Sequence, residues 1–526
     1  MHETLQKLCL GTSMFLSVAN VNPIFAQSKN SDRTSTKRPN IIVFLVDDLG
    51  WNDTSLPMSG EKTKYNQRYK TPNLERMAQQ GVMLTNAHAQ AISVASRASL
   101  LTGQNFITNA VTGDYEYTTN PFNTLQVEPG TVLDRRFTLP AVLKMAGYKT
   151  IHCGKFHLSE YKSHVPTPTD AGFDVNIAGS IFGQPGSYRS EDDYTRANMV
   201  KSYGYNPMVG LEKYYKSGKH LTDALTEVAI DEMHKAVDED KPFFLYMAHF
   251  AVHTPIQPHP EHMHLYPLDE CENREEAEYG SLISGVDASL GTFMDELDKM
   301  GIADNTFLIF MSDNGGRVLW RGKKSMYGDY EFNYPLRSGK ASLYEGGIRV
   351  PAVVRWPGKI KGGRVSDIPM MIEDIYATAL GVAQTEAPAH YRVEGVNWLP
   401  YFTEGKASKE DLHRSMFFNA PYRFEGLHKS YNGPDFVGGG VTPSTAIIKD
   451  HWKLIYTHAN EDFQLYNLKD DLSEKHDLIH KENKKAYQLA KELDEFLRAN
   501  NGLSTRRVQE GRNTLRPLDA FNKLFK

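Results

Sequence analysis

Two short acidic segments, each directly after a continuous apolar run, are the residues of this sequence best suited to hold an ion. Asp47 and Asp48 follow one run, and Asp313 and Asn314 follow another. Carboxylate and amide oxygens suit a hard cation such as Ca²⁺ or Mg²⁺, whereas zinc would favour imidazole or thiolate ligands. Three carboxylates brought together without a cation would raise one another's pKa. The alternative is that both segments only cap a helix or turn the chain.

Basic side chains form a second group of candidates, and they are spread widely along the chain: Arg97, Lys155, His157, His253 and Lys340. Buried lysines are rare unless they have a negative partner. Several basic groups that converge on a hard cation indicate a bound anion of the sulfate or phosphate type. Taken alone, each histidine could equally be an ordinary core or surface residue.

The segment ISVASRASLLTG, residues 92–103, supplies a candidate nucleophile. A free serine reacts weakly and needs a base, a lowered pKa or a metal. The segment lacks the Gly-x-Ser-x-Gly turn of the α/β-hydrolases, so a catalytic triad of that kind is poorly supported. We interpret Ser96 and Ser99 as local hydroxyls that cap or line a helix. Ser93 is then the candidate reactive group.

The elements that must position these residues alternate along the chain. Continuous apolar runs at 40–48, 242–250, 306–314 and 351–356 predict strands buried on both faces. Helical patterns lie between the runs, with TPNLERMAQQGV and EEAEYGSLISGVDASLGTFMDELDKMG as the clearest. Strands that alternate with helices predict an α/β fold with a large, doubly wound, mixed sheet flanked by helices. Ligands of such sheets bind beyond the carboxyl ends of the strands, where both acidic segments would lie.

The pattern changes after about residue 410. Residues 446–471 predict short antiparallel strands, and residues 481–500 predict one amphipathic helix. We therefore expect an α/β domain that carries the site at 39–410 and a smaller C-terminal α+β subdomain, an antiparallel sheet plus a helix, at 411–526. Residues 1–26 have the apolar run and the small-residue end of an export signal peptide, and residues 27–38 form a polar leader.

Overall composition excludes some classes of protein. A net charge of −5 over 526 residues gives no reason to expect nucleic acid as a partner. Outside the signal peptide only Cys153 and Cys271 remain, which are too few for a disulfide scaffold. Beyond the N-terminal run, no apolar stretch approaches the length that crosses a membrane, so we expect no membrane insertion.

With these residues in place, the sequence resembles the type I sulfatase family of the alkaline-phosphatase superfamily. The family signature is Cys or Ser, any residue, usually Pro, then Ser-Arg, followed by Leu and Thr-Gly; residues 93–103 read SVASRASLLTG. Further matching segments follow in the family's order: RPNIIVFLVDDLGWND, GKFHL, FFLYMAHFAVHTP, SDNGG and GKASLYEGGIRVPAVVRWPG.

The resemblance implies a sulfuric ester hydrolase in which Ser93 is oxidised to formylglycine, whose hydrate attacks sulfur. It implies one Ca²⁺ held by the modified Ser93 with Asp47, Asp48, Asp313 and Asn314. Arg97 would orient the hydrate, and Lys155 and Lys340 would neutralise the sulfate oxygens. His157 would take the proton when sulfate is eliminated, and His253, with Lys340, would protonate the departing sugar oxygen.

Two departures from the family pattern carry further implications. Serine at position 93 replaces the commoner cysteine, which implies a radical-type sulfatase-maturing enzyme and a bacterial source. Ala95 replaces the usual proline, which bears on how efficiently that enzyme acts. With the signal peptide, the expected location is the periplasm or the exterior of the cell.

The expected substrate is a sulfated carbohydrate. Residues 168–188 and 248–257 resemble an exo-acting sulfatase subgroup whose members act on sulfated galactose or N-acetylgalactosamine. Candidate sugar-contacting residues are His88, Arg317, Trp320, Arg321 and the aromatics near Tyr188, although each could be an ordinary loop or surface residue. Two alternatives stay open: a phosphomonoester or phosphodiester hydrolase of the same superfamily, and a non-catalytic protein that binds sulfated glycans.

Overall fold

Eight strands form the large sheet: β1 (Asn40–Val46), β2 (Gly81–Leu84), β3 (Lys149–Gly154), β4 (Val175–Ile177), β5 (Phe243–Ala248), β6 (Thr306–Ser312), β7 (Ala352–Arg355) and β8 (Arg364–Ser366). Their order across the sheet is β8-β2-β7-β6-β1-β5-β3-β4. Among these strands β7 alone runs antiparallel to its neighbours β2 and β6, while the other pairs are parallel. The predicted mixed sheet is therefore confirmed, with its one reversed strand at the run that starts at residue 351.

The computed structural model describes residues 38–109, 125–127, 134–158, 167–197, 200, 206, 208–316, 320–321, 324–325, 333–420, 424–425, 440–441, 443–458, 460–500, 505–507 and 512–525. Only the backbone is described at 125–127, 320–321, 324–325, 424–425, 440–441, 505–507 and 512. The predicted signal peptide at 1–26 lies outside the described residues, as does nearly all of the polar leader at 27–38.

Helices cover both faces of the sheet, and their bounds are α1 (Lys64–Arg68), α2 (Pro72–Gln79), α3 (Ser93–Thr102), α4 (Phe106–Asn109), α5 (Leu139–Met145), α6 (Leu221–Asp238), α7 (Arg274–Lys299), α8 (Glu345–Ile348), α9 (Asp374–Ala383), α10 (Leu399–Glu404), α11 (Lys409–Leu412), α12 (Asn483–Ala499) and α13 (Pro517–Phe525). Single 3₁₀ turns lie at Arg135–Phe137, Ser190–Asp192, Glu212–Tyr214 and Ala303–Asn305, and a longer 3₁₀ segment lies at Pro260–Leu265. In the described part of the chain, no helix is both long enough and apolar enough to cross a membrane.

The double winding is visible in the packing of β1. Ile41, Val43 and Leu45 belong to the apolar cluster that contains α3, α5 and α9. Ile42 and Phe44 belong to the cluster that contains α2, α6 and α7 on the other face. Because successive side chains of a strand point to opposite faces, a strand covered on both sides must be apolar throughout. This requirement explains the continuous apolar run.

A second, four-stranded antiparallel sheet follows toward the C-terminus. It contains β9 (Ser415–Ala420), β10 (Ser444–Lys449), β11 (Trp452–Thr457) and β12 (Asp462–Asn467), in that order. Helix α12 packs its apolar side on this sheet together with α13. The predicted antiparallel strands and amphipathic helix are confirmed. Arg38–Lys526 form one compact unit, so the domain border expected near residue 410 stays a prediction.

Shorter strands pair outside the two sheets. Ala87–His88 pairs with Met370–Met371, Trp320–Arg321 with Lys324–Ser325, and Phe424–Glu425 with Gly440–Val441. Leu125–Val127, Thr505–Arg507 and Arg512–Asn513 form a three-stranded sheet.

Candidate active site

Four adjacent parallel strands, β6, β1, β5 and β3, bring the candidate residues to one edge of the large sheet. The last residues of β1 and β6, Val46 and Ser312, are paired in register. The acidic segments that follow these two strands therefore begin side by side. Lys155 comes directly after β3, and His253 lies in the loop that follows β5. This is the edge at which doubly wound sheets bind their ligands.

Three buried carboxylates meet at this edge. Asp47, Asp48 and Asp313 each offer an oxygen that lies within 4.8 Å of the others. The backbone N–H of Asp48 donates to Asp313 Oδ1 at 3.2 Å, and Asn314 Nδ2 donates to Asp48 Oδ1 at 2.8 Å. Burial raises the pKa of Asp47 to about 7, although the ammonium of Lys155 opposes this rise. An all-oxygen, strongly acidic set fits a hard divalent cation of the Ca²⁺ type.

Ser93 is the first residue of α3, and its hydroxyl points at this cluster. Ser93 Oγ lies 3.0 Å from Asp47 Oδ1 and 3.2 Å from Asn314 Oδ1. It also accepts a hydrogen bond from Lys155 Nζ at 3.0 Å. None of these three neighbours is an imidazole, so they do not indicate a serine activated by a histidine base. The start of α3 also favours negative charge at this position.

The other two serines of the segment have local partners, as the sequence predicts. Ser96 Oγ accepts from the backbone N–H of Gln90 at 2.9 Å and lies 3.2 Å from its carbonyl oxygen. Ser99 Oγ accepts from Asn109 Nδ2 at 3.2 Å. Both hydroxyls therefore connect α3 by hydrogen bonds to residues just before and just after the helix.

Arg97 is fully buried and binds two strand ends at once. Its Nε and Nη2 donate to Asp313 Oδ2 at 3.1 and 2.7 Å, and its Nη1 donates to the carbonyl oxygen of Lys155 at 2.8 Å. Burial opposes the charge of the guanidinium, but Asp313 raises the pKa of Arg97 overall. Burial likewise opposes the charge of Asp313, but Arg97 and Lys155 hold the pKa of this carboxyl below its ordinary value. The pair is therefore charged on both sides.

Two lysines, Lys155 and Lys340, also contact the carboxylate cluster. Lys155 Nζ donates to Asp47 Oδ2 at 2.7 Å, and burial lowers the pKa of Lys155 to about 8. Lys340 Nζ donates to Asp48 Oδ1. The backbone N–H of Lys340 donates to the carbonyl oxygen of Gly316 at 3.0 Å, which fastens this segment to the end of β6.

The two candidate histidines stand at different places around the cluster. His253 Nε2 lies 3.6 Å from Asp48 Oδ2, and its Nδ1 lies 3.0 Å from the carbonyl oxygen of Thr254. His157 has a left-handed backbone (φ 51°), and its N–H donates to the carbonyl oxygen of Ser180 at 3.0 Å. Burial, with Lys155 next, lowers the pKa of His157 well below its ordinary value. A neutral His157 ring at neutral pH is able to accept a proton.

The structure gives less information about the four residues that the sequence analysis proposes as sugar contacts. His88 is fully buried, and its Nε2 lies 3.1 Å from Glu345 Oε2, so the structure gives this side chain an internal partner. Arg317 lies outside the described residues. Trp320 and Arg321 form a described backbone strand, but their side chains lie outside the description. Of these four side chains, the structure describes that of His88 alone, so the sugar contacts stay a prediction.

Two glycines that shape the site are missing from the sequence-based prediction of site residues. A Cβ on Gly154 would lie 1.9 Å from the carbonyl oxygen of Ala248, so this glycine lets β3 approach β5 just before Lys155. A Cβ on Gly315 would lie 1.8 Å from the carbonyl oxygen of Gly346, so α8 packs directly behind Asn314. The sequence does show a glycine directly before Lys155 and another directly after Asn314. These glycines could have indicated the close contacts, because two backbones approach this closely only at glycine.

Comparison with known proteins agrees with this geometry. The Sulfatase family model matches residues 39–385, and the model described as N-sulphoglucosamine sulphohydrolase, C-terminal, matches residues 338–501. The chain is 31% identical over 450 residues to N-acetylgalactosamine-6-sulfatase of Homo sapiens, covering 79% of this chain and 78% of that protein. It is 28% identical over 537 residues to a sulfatase of Formosa agariphila, covering 91% of both.

Among solved structures, that of Ps i-CgsB in complex with k-i-k-neocarrahexaose is similar, with a TM-score of 0.67 and 26% identity. The similarity covers 87% of this chain and 92% of that chain. The family match extends over more than half of the sequence and includes every strand of the large sheet. The chain belongs to the type I sulfatase family and is a sulfuric ester hydrolase.

Proposed function

We propose that this protein removes sulfate from sulfated glycans, using formylglycine made from Ser93 and one Ca²⁺ at the carboxylate cluster. The observation that carries the proposal is the position of Ser93 Oγ, which lies within 3.2 Å of Asp47, Asn314 and Lys155. The residues that would hold the cation are Asp47, Asp48, Asp313 and Asn314, with position 93. When present, the hydrated aldehyde supplies a nucleophilic oxygen, and the cation supplies a Lewis acid.

In this proposal the basic residues bind the sulfate group. Lys155 and Lys340 approach the cluster from the ends of different segments, and each already contacts one of its carboxylates. Their charges would neutralise the sulfate oxygens as negative charge develops in the transition state. Arg97 binds Asp313 and the backbone of Lys155, so it would hold these groups at fixed separations while it orients the reacting group at position 93.

The two histidines would divide the proton transfers. His157 has a lowered pKa and would accept the proton that is released when sulfate is eliminated. His253 and Lys340 both lie at Asp48, and together they would deliver a proton to the departing sugar oxygen. An alcohol leaves poorly as an alkoxide, so a proton donor on this side is required.

The substrate that we propose is a galactose or N-acetylgalactosamine sulfate at the end of a glycan. Support comes from the sequence of residues 168–188 and 248–257 and from the human relative, which is named for N-acetylgalactosamine-6-sulfate. The bound oligosaccharide in the Ps i-CgsB structure supports a carbohydrate substrate more generally. Serine at position 93 supports maturation by a radical-type enzyme in a bacterium, and the N-terminal sequence supports export to the periplasm or beyond.

The test is expression with a radical-type maturing enzyme, followed by peptide mass spectrometry and assays on defined substrates. We expect the peptide that contains Ser93 to lose two hydrogen atoms, and the matured protein to cleave aryl sulfate faster than aryl phosphate. Ser93→Ala, matured in the same way, is the inactive control. Preference for aryl phosphate would favour the phosphoester hydrolase alternative. Sulfated-glycan binding without turnover by protein that carries the aldehyde would favour the non-catalytic alternative.

The sugar is tested separately with sulfated monosaccharides and disaccharides. We expect turnover of galactose-configured substrates that carry sulfate on the terminal residue. Activity confined to other sugars would refute the proposed substrate but leave the reaction class intact.

A further inference from the structure

One segment, Ser180–Tyr188, contacts both candidate histidines although it supplies no group to the reaction. The carbonyl oxygen of Ser180 accepts from the N–H of His157 at 3.0 Å. At the other end, the hydroxyl of Tyr188 donates to the carbonyl oxygen of His253 at 2.9 Å. The segment therefore joins the loop after β3 to the loop after β5, at the sheet edge where the site lies.

Gly183 lies directly against the imidazole of His157. A Cβ at this position would lie 2.5 Å from His157 Nε2 and 2.6 Å from Cε1, distances that real Cβ atoms essentially never show. The ring therefore occupies the space that any other residue at position 183 would need. The atom that would be displaced first is Nε2, one of the two atoms able to take a proton.

One ring nitrogen of His157 lacks, among the described residues, the hydrogen bond that commonly orients a histidine, so packing contributes to the orientation of the ring. A histidine that works in catalysis usually has one ring nitrogen fixed by a carboxylate or a carbonyl group. His157 Nδ1 is buried and has no hydrogen-bond partner among the described residues. The left-handed backbone of His157 and the close contact of its ring with Gly183 therefore restrict the orientation of the ring.

The segment is itself firmly attached beside His253. Gln257 Oε1 accepts from the N–H of Tyr188 at 2.6 Å and from the hydroxyl of Ser187 at 3.0 Å. Thr254 Oγ1 donates to Gln184 Oε1 at 3.4 Å. These contacts fix the segment on the loop after β5, so Gly183 presents a rigid surface to His157.

We propose that Ser180–Tyr188 is a positioning segment for both histidines, and that Gly183 is the positioning residue that sets the imidazole of His157. The role of this contact in turnover rests on the proposed function, in which His157 accepts a proton. The contact itself does not depend on that function, so its effect on the ring is measurable separately.

The first test is Gly183→Ala, with Gly280→Ala as a matched control. A Cβ on Gly280 would also lie 2.5 Å from an aromatic ring, that of Tyr266, whose hydroxyl bonds to Ser284 and to the backbone of Lys70 rather than to the site. We expect Gly183→Ala to lower kcat by about 100-fold, because a misplacement of about 1 Å has this effect, while KM changes by less than about twofold. The control should keep its kcat.

The second test is a double-mutant cycle with His157→Ala. If Gly183 acts through His157, Gly183→Ala should lower kcat in the wild-type background and have no further effect once the imidazole is gone. An equal loss of kcat in both backgrounds would mean a general structural defect and would overturn the proposal.

Crystal structures of both glycine variants complete the test without any substrate. We expect the His157 ring to be displaced in Gly183→Ala and unmoved in Gly280→Ala. An unmoved ring in Gly183→Ala overturns the inference, whether or not the wild type cleaves sulfate. If the wild type proves inactive after Ser93 is oxidised, the proposed function fails, and the crystal structures alone decide the positioning role.

Discussion

Glu373 tests how burial changes the pKa of a carboxyl group, because its side chain is buried and one of its two carboxyl oxygens lacks a hydrogen-bond partner among the described residues. The side chain is 2% exposed and precedes α9. Its Oε1 accepts from Asn105 Nδ2 at 3.0 Å, whereas its Oε2 has no hydrogen-bond partner among the described residues. Burial first, and then the neighbouring carboxylate of Asp374, raises the pKa of Glu373 from its ordinary value of 4.5 to about 7.

The sign of the effect on stability follows from proton linkage. The folded protein keeps the Glu373 proton up to about pH 7, but the unfolded chain loses it near pH 4.5. Stability from this group is therefore fully present below pH 4.5 and is lost as the pH rises to 7. At about 1.36 kcal/mol per pKa unit, the loss above pH 7 amounts to about 3 kcal/mol.

Glu373→Gln removes this ionisation and can keep the oxygen that accepts from Asn105. We expect the free energy of unfolding of the variant to exceed that of the wild type by about 3 kcal/mol at pH 8, and by almost nothing at pH 4.5. Urea unfolding at several pH values, followed by tryptophan fluorescence, measures the difference. Glu404→Gln is the control, since this carboxylate is more than half exposed and its ion pair among the described residues is with Lys406. A difference between Glu373→Gln and the wild type that stays constant with pH would refute the reasoning.

Two further predictions concern other charged groups. Lys453→Met should lower the free energy of unfolding by about 3–5 kcal/mol in urea titrations, because Lys453 Nζ bonds to Glu345 and Glu474 at 2.9 and 2.8 Å and all three side chains are fully buried. An unchanged urea midpoint would contradict this. Inorganic sulfate should tighten the binding of Ca²⁺ to chelator-treated protein at least about fivefold in calorimetric titrations, since each ion offsets the charge of the other. Equal Kd values with and without sulfate would contradict it.

The sequence predicted the main sheet and the meeting of the acidic segments because both depend on local patterns. A strand buried on both faces must be continuously apolar, and the carboxyl ends of adjacent parallel strands share an edge. Asp47 and Asp313 therefore became neighbours once β1 and β6 were identified as strands. The antiparallel direction of β7 could not be predicted from the sequence, since an apolar run has the same composition in either direction.

Local sequence patterns could not predict contacts between segments that lie far apart in the chain. The partner of His88 is Glu345, which lies 257 residues further along the chain. Nothing near His88 in the sequence marks this pairing. Lys453 resembles an ordinary strand lysine until the fold buries it between two glutamates. The contact of Gly183 with His157 is likewise a property of the assembled loops.

The charges of the site explain why its residues belong together. Three buried or nearly buried carboxylates face three basic groups across a few ångströms: Asp47, Asp48 and Asp313 against Arg97, Lys155 and Lys340. The formal charges of these six groups cancel. A divalent cation alone would leave this low-dielectric site with a net charge of about +2, and the single negative charge of a sulfate ester would offset about half of that excess. A cation at this cluster would therefore favour the binding of an anion beside it. The two lysines reach the cluster from separate segments, and each contacts a different carboxylate: Lys155 contacts Asp47, and Lys340 contacts Asp48.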